Sequence, residues 1–216
     1  MCGRYTLSQP LKNIQSHFGP LVIGLEYRPS YNIAPSQFSP IIIDRSGHKG
    51  LATMKWGLVP AWAKDEKMKL INARSETAHE KPSFKNSLKN KRCLIPADGF
   101  IEWKGKDKQP YYIFLKAQAL FAFAGLWSTW KSPEGQNLST YTILTTEANE
   151  RLASIHARMP VILPSDKYDT WLTLDTKLEP LRTLLTPFPS KDFDFYPVSK
   201  EVNAPRNNFA EMLERN

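Results

Sequence analysis

A series of short β-type runs, which never alternate regularly with helices, is the feature that most constrains how this chain folds. Gly, Pro, Asn and Asp separate these runs of β-branched and aromatic residues, as is typical of strands joined by tight turns. We predict strands at 40–44, 51–56, 93–96, 99–103, 111–115, 120–126, 141–145, 160–163 and 193–198. Without strand–helix alternation, the pattern favours an α+β chain with mostly antiparallel sheets and short flanking helices over a doubly wound parallel sheet.

Amphipathic spacing predicts the flanking helices. We place them at 8–18, 81–88, 147–155, 165–172, 178–185 and 208–215. Ser8 is expected to cap the first helix, Gly19 to stop it, and Pro82 lies near the start of the second. Residues 29–35 and 56–62 are rich in Pro and Gly and are expected to be irregular.

Length and composition bound the organisation of the chain. The chain has 216 residues, of which 41% are hydrophobic, which is enough for one large core. No stretch has the composition of a linker, so we predict a single domain spanning 1–216. No run is apolar enough for a secretory signal or a membrane span, so we expect a cytoplasmic, nucleoid-associated monomer with reduced thiols at Cys2 and Cys93.

The net charge of +8 favours a polyanionic partner, because a basic surface attracts phosphates and releases their counterions. A lysine-rich protein whose charge serves only solubility would have the same composition. Charge alone does not decide between these two interpretations.

Several common chemistries have no support in the sequence. It contains no glycine-rich phosphate loop, no dinucleotide fingerprint and no serine-nucleophile elbow. The four histidines (His17, His48, His79, His156) and two cysteines lack the spacing of zinc ligands. We therefore expect neither a metal nor a cofactor.

Cys2 is the unusual residue. Removal of Met1 would leave an exposed α-amine and a thiol on adjacent carbons, a pair that converts an aldehyde first to an imine and then to a thiazolidine ring. An α-amine has a pKa of about 7.7–8.0, so a useful fraction is neutral at cellular pH, unlike lysine. A cysteine at position 2 also arises by chance, and taken alone this residue favours that explanation.

Three further segments carry polar groups suited to a site, and each has a structural alternative. Asn72 and Arg74 follow an apolar pair but could simply cap and pair at the start of a helix. Glu102 stands in an aromatic run but could face solvent on an edge strand. His156 follows a predicted helix, whose dipole favours a histidine at its end. Spacing alone cannot show that these segments meet.

Six segments together resemble the SOS response-associated peptidase (SRAP) family, which includes bacterial and animal proteins that shield abasic sites. They are MCGRY at 1–5, YNIAP at 31–35, WGLVPAW at 56–62, INARSET at 71–77, CLIPADGFIEW at 93–103 and HARMP at 156–160. The segments occur in the family's order and cover most of the chain. The part after about residue 163 is less diagnostic.

The resemblance implies one α+β domain with a positively charged groove for single-stranded DNA. It implies that Cys2 forms the covalent bond and that Asn72, Glu102 and His156 surround it as the catalytic set, and the sequence does not depart from the family at these four positions. The expected product is a thiazolidine crosslink between Cys2 and the ring-opened abasic aldehyde. Weak β-elimination at the lesion, crosslink reversal and self-processing that frees Cys2 are implied as side activities.

DNA-binding residues are expected within or beside the same segments. Arginines there can grip phosphates, and tryptophans or apolar side chains can stack on bases or wedge between them, although core packing explains the tryptophans equally well. The predicted set is Arg4, Arg74, Arg158, Trp56, Leu58, Trp62 and Pro35. Contacts to the backbone rather than to particular bases are expected, because a lesion occurs in any sequence.

Two other functions remain open. In an N-terminal-nucleophile hydrolase the Cys2 thiol would attack an amide, with its own α-amine as the base. In a non-covalent single-strand-binding module, charge and tryptophans would suffice without Cys2. Both differ from the covalent hypothesis in their response to abasic DNA.

Overall fold

The computed structural model describes residues 2–24, 26–174 and 178–215. The strands are β1 (Tyr5–Leu7), β2 (Val22–Ile23), β3 (Ser30–Ile33), β4 (Phe38–Arg45), β5 (His48–Trp56), β6 (Asn72–Arg74), β7 (Arg92–Ala97), β8 (Gly99–Lys104), β9 (Gln109–Leu115), β10 (Phe121–Lys131), β11 (Asn137–Glu147), β12 (Arg158–Pro160), β13 (Ile162–Leu163) and β14 (Phe193–Pro197). The α-helices are α1 (Leu11–Phe18), α2 (Pro82–Asn90), α3 (Glu150–Ala153), α4 (Tyr168–Leu172) and α5 (Leu178–Arg182). Short 3-10 turns span Ser165–Lys167, Ser190–Asp192, Lys200–Asn203 and Ala210–Leu213.

The strands form two sheets. The smaller has the order β14-β9-β8-β1-β3, and the larger has the order β12-β11-β10-β7-β4-β5-β2. A parallel contact between β5 and β11 joins distant strands of the larger sheet, so β4, β5, β7, β10 and β11 close into a small barrel. Most pairings are antiparallel, which confirms the predicted α+β class.

Tyr5 on β1 packs the smaller sheet against the barrel. Its hydroxyl lies 2.8 Å from the Ser39 hydroxyl and 2.7 Å from that of Tyr141, and its ring meets Trp56 edge-on at 5.3 Å. These buried polar groups are satisfied by one another, as an apolar interior requires. β1, and with it the chain's N-terminal segment, is thereby fixed between the two sheets.

Most of the predicted helices begin or end differently in the structure, and two of these differences have a clear local cause. The first helix starts at Leu11 rather than Ser8, because the hydroxyl of Ser8 donates to the Asp98 carboxylate at 2.8 Å and does not cap a helix. Gly19 ends it in a positive-φ conformation, as predicted. The segment predicted as a helix from 147 begins as the end of β11, since Glu147 pairs with Arg158.

The remaining differences concern short elements. The predicted terminal helix at 208–215 is only the 3-10 turn Ala210–Leu213. Residues 29–35, which were expected to be irregular, contain the strand β3. Asn72 and Arg74, which could have started a helix, lie in the strand β6. Within the described ranges, no helix is both long and apolar enough to cross a bilayer.

Candidate active site

The four predicted catalytic residues lie on four separate elements. Cys2 precedes β1, and Asn72 is the first residue of β6. Glu102 lies on β8, and His156 lies between α3 and β12. β8 pairs directly with β1, whereas β6 and β12 both pair with β11.

Cys2 is fully buried in the chain that begins with Met1, and its exposure after removal of Met1 stays a prediction. The side-chain amide of Asn72 donates to its carbonyl oxygen at 2.8 Å. Its thiol donates to the carbonyl of Arg4 over 3.7 Å. Burial, reinforced by the negative charge of Glu102, raises the pKa of the Cys2 thiol, which therefore stays protonated.

Glu102 is a buried carboxyl group and not the solvent face of an edge strand, because β8 lies between β9 and β1. Burial raises the pKa of Glu102, and the positive charge of the chain's N-terminal amine, followed by that of a protonated His156, partly offsets this. The pairing of β8 with β1 places Glu102 beside the N-terminal segment that carries Cys2, since the neighbouring Ile101 N–H donates to the carbonyl of Arg4 at 2.9 Å. A protonated carboxyl group can act as a general acid, and the carboxylate that it leaves can take a proton back.

His156 has its ring fixed by the backbone of Arg158. The backbone N–H of Arg158 donates to His156 Nδ1 at 2.9 Å, and the carbonyl oxygen of Arg158 lies 3.1 Å from the same atom. The backbone N–H can only donate and makes the shorter of the two contacts, so it favours the neutral imidazole that carries its proton on Nε2 over the tautomer in which Nδ1 donates to the carbonyl. The half-buried ring is thus oriented by the first residue of the strand that follows it.

Asn72 contributes an unused acceptor as well as a donor. Its Oδ1 atom is buried and has no hydrogen-bond partner among the residues that the structure describes. Its Nδ2 atom is the group that binds the Cys2 carbonyl. An uncharged side chain with a spare acceptor beside Cys2 suits an incoming hydroxyl or amine.

Three of the predicted DNA-binding residues are buried and do not form a surface. Trp56 and Leu58 are 0% exposed and pack in the core, so their predicted contact with bases is wrong. Arg4 is 7% exposed, and its Nη2 donates to the carbonyls of Val202 and Asn203 at 3.2 Å each. Arg4 therefore joins the N-terminal and C-terminal segments and does not present its guanidinium to a phosphate.

The other predicted DNA-binding residues are accessible to different degrees. Trp62 is 57% exposed on the loop between β5 and β6, and Arg74 is exposed at the end of β6. Pro35 is half-buried in the turn between β3 and β4. Arg158 has both terminal nitrogens paired with the carboxylate of Glu76, so its fork is already occupied.

Sequence reasoning missed two groups near these residues. The loop that carries Trp62 also exposes three lysines, whose signal is diluted in a local count of charge by the exposed Asp65 and Glu66: Lys64, Lys67 and Lys69. Glu76 was not assigned a role, and its partner Arg158 is 82 positions away, so no local spacing indicates the pair.

The structure offers no candidate metal centre within the described residues, since no group of three or more His, Cys, Asp or Glu side chains converges there. Both cysteines are buried free thiols. The site is thus an assembly of a thiol, an amide, a carboxyl group and an imidazole.

A model of the family described as SOS response associated peptidase (SRAP) matches residues 1–205. The chain belongs to the SRAP family. The abasic site processing protein YoqW of Bacillus subtilis (strain 168) is 48% identical over 222 residues, covering 99% of each chain. The abasic site processing protein HMCES of Gallus gallus is 37% identical and covers 87% of this SRAP chain and 66% of its own length.

The SRAP fold also matches solved structures. A crystal structure of a protein from Bacteroides thetaiotaomicron covers all of both chains with a TM-score of 0.87 and 26% identity. A crystal structure of a phage-related protein from Bordetella bronchiseptica has a TM-score of 0.73 and 30% identity, and it covers 91% of this chain and 94% of its own. These two solved structures therefore share the arrangement of sheets described above.

Proposed function

We propose that this SRAP protein processes abasic sites in single-stranded DNA by bonding covalently to them through Cys2. The observation that carries the proposal is the hydrogen bond from the Asn72 amide to the Cys2 carbonyl at 2.8 Å, with the buried Glu102 on β8, the strand that pairs with β1 just after Cys2. The relatives named as abasic site processing proteins supply the substrate class. In the proposed reaction, Cys2 forms a covalent bond to the aldehyde of the abasic site and so shields it.

The chemistry balances without a cofactor. Removal of Met1 frees the α-amine of Cys2, which attacks the aldehyde of the ring-opened abasic sugar. The carbinolamine loses one water to give an imine. The thiol then adds across the C=N bond, so that a C–S bond forms, the sulfur loses its proton and the nitrogen gains one, closing a thiazolidine.

The surrounding side chains divide the proton transfers. Glu102, with its raised pKa, donates a proton to the departing hydroxyl of the carbinolamine and takes one back from the amine. His156 serves the opening of the closed sugar through Nε2. Asn72 holds the Cys2 backbone and offers Oδ1 to the sugar or the new ring.

The state of the thiol favours this order of events over that of a cysteine hydrolase. A hydrolase needs a thiolate, and reactive thiolates lie where the pKa of the thiol is lowered. Here burial and Glu102 raise the pKa of the Cys2 thiol. Removal of Met1 would make Cys2 accessible and weaken the effect of burial, but the negative charge of Glu102 still opposes formation of the thiolate, so the amine reacts first and the thiol then closes the ring.

We assign DNA binding to the exposed loop between β5 and β6 and the end of β6. Trp62 provides a stacking surface, and the lysines and Arg74 provide phosphate contacts next to Asn72. This interface would contact the DNA phosphate backbone and the faces of unstacked bases, so no base preference is expected. Pro35 stays a predicted contact on the neighbouring turn.

Related activities follow from the same intermediates. An imine at the abasic carbon acidifies the adjacent C–H and permits weak β-elimination, which thiazolidine closure suppresses. Glu102 and Asn72 would also assist self-processing before Cys2 and reversal of the crosslink. The single domain, the monomeric state and the nucleoid location stay predictions.

Crosslinking to a single-stranded oligonucleotide with one abasic site is the direct test. We expect the wild-type protein to give a product that survives denaturing electrophoresis, and Cys2→Ala to give none. Cys2→Ser retains the amine, so it should give only a product that depends on borohydride reduction of the imine.

Matched intact DNA serves as the control and should give no product. Binding that disappears in high salt and persists in Cys2→Ala would instead show a non-covalent module, because screening removes phosphate contacts. Cleavage of an amide substrate without any adduct would favour the hydrolase.

A further inference from the structure

Glu76 and Arg158 form a two-pronged ion pair beside the site. Arg158 Nη1 donates to Glu76 Oε1 at 2.6 Å, and Nη2 donates to Oε2 at 2.9 Å. The Arg158 side chain is 14% exposed, so the pair is only partly screened by water. Planar fork-to-fork contacts fix orientation more strongly than single contacts do.

The pair joins the segments that carry two catalytic residues. Glu76 follows β6, which begins with Asn72, and Arg158 begins β12, two residues after His156. Both segments meet on one carbonyl of β11: Thr145 accepts from the backbone N–H of Ser75 at 2.9 Å and from Arg158 at 2.6 Å.

The same arginine holds the imidazole through its backbone. Its N–H is the donor that makes His156 Nδ1 an acceptor and leaves the proton on Nε2. A shift of Arg158 therefore moves or re-protonates His156. Groups behind a functional histidine commonly set its tautomer in this way.

We propose that Glu76 is a positioning residue that holds Arg158 in place. Held in this way, Arg158 keeps the segments of Asn72 and His156 aligned on β11. It also keeps the proton of His156 on Nε2. The assignment rests on the proposed function for what His156 does to the sugar.

The charge of Glu76 suits this role. Its hydrogen bonds from Arg158 lower the pKa of Glu76, so the carboxylate stays ionised over the physiological range. An unpaired carboxylate facing a DNA-binding surface would repel the substrate, and Arg158 neutralises this charge.

The test compares Glu76→Gln with Glu26→Gln, since Glu26 also pairs with an arginine, Arg28, but both side chains are largely exposed. We expect Glu76→Gln to lower the maximal crosslinking rate at saturating abasic DNA about 10-fold, through misplacement of His156. Its affinity for intact single-stranded DNA should be unchanged or higher, because a negative charge is lost. Glu26→Gln should match the wild type.

Nitrogen-15 NMR of His156, assigned with His156→Gln, reads the tautomer without DNA. We expect the wild type to show an Nε2–H imidazole and Glu76→Gln to show a mixture. Arg158→Lys, which keeps the charge but loses the fork, should reproduce that mixture even if Glu76→Gln folds poorly.

The positioning role would be overturned if His156 kept the wild-type tautomer in both Glu76→Gln and Arg158→Lys. It would also be overturned if Glu76→Gln lowered only the affinity for DNA and left the maximal crosslinking rate unchanged. Failure of the proposed function looks different: the wild type itself would form no crosslink, while the NMR comparison would still decide what Glu76 does.

Discussion

Replacing Glu102 with glutamine is expected to lower the crosslinking rate about 100-fold and to raise the melting temperature of the protein. The rate falls because an amide cannot transfer the protons that carbinolamine dehydration requires, and such transfers contribute about 10²–10⁴-fold. Gln fills the same volume, so binding of the DNA should change little. Single-turnover crosslinking at saturating DNA measures the rate.

The gain in stability follows from proton linkage. The folded-state pKa of Glu102 is raised by burial, so the folded chain binds more protons than the unfolded chain between the ordinary glutamate pKa, about 4.3, and the raised value. Wild-type stability therefore falls as pH rises through that window. Above it, the wild type carries a buried charge that Gln lacks.

We expect Glu102→Gln to melt higher than the wild type at neutral pH by about 2–4 °C, which corresponds to about 1 kcal/mol for a chain of this size. The difference should shrink towards pH 4. Thermal melts between pH 4 and 8 measure it. A variant that melts lower at neutral pH, or that crosslinks at the wild-type rate, would remove Glu102 from its proposed role.

Replacing Arg92 with methionine is expected to be the most destabilising change outside the site, by about 3 kcal/mol. Arg92 is 2% exposed and donates to the carbonyls of Trp171 at 2.6 Å, Leu88 at 2.8 Å and Lys89 at 3.1 Å, as well as to Thr173.

These carbonyls belong to the C-terminal ends of α2 and α4, where a helix has acceptors without partners and a negative dipole end. Methionine fills the space but leaves those carbonyls without a donor, and each such buried group costs about 1–3 kcal/mol. Arg92 thus docks both helices onto β7.

Urea unfolding measures the effect as a lower midpoint with an unchanged slope. Arg28→Met is the matched control, because Arg28 has an 82% exposed side chain, and it should stay within about 0.5 kcal/mol of the wild type. An equally small change in the free energy of unfolding for Arg92→Met would contradict this role, because it would mean that water satisfies the helix carbonyls as well as Arg92 does.

The fold was predictable from the sequence where the signal is local. The strands β4 and β5 follow from β-type runs at 40–44 and 51–56 that are separated by a Gly-containing turn, and Pro82 marks the start of α2. β6 was missed because its three residues form a strand only by pairing with Ile143–Thr145 on β11. The cap predicted at Ser8 is wrong because the hydroxyl of Ser8 binds Asp98 instead. Asp98 lies 90 positions away, so no local pattern indicates this partner.

The site was predictable only through the family resemblance. Nothing in the spacing of Cys2, Asn72, Glu102 and His156 indicates that they meet, since β1, β6, β8 and β12 come together through the sheets. Residue type also misleads about exposure: the motif containing Trp56 and Trp62 puts the first in the core and the second at the surface.

The intact mass of the product with single-stranded abasic DNA tests the central claim most directly, using one preparation without Met1 and one that retains it. The preparation that begins at Cys2 should give protein plus oligonucleotide minus one water, and the preparation with Met1 should give no adduct because its amine belongs to Met1 and no 1,2-aminothiol exists. An adduct of equal yield from both preparations, or none from either, would contradict covalent capture by the N-terminal cysteine.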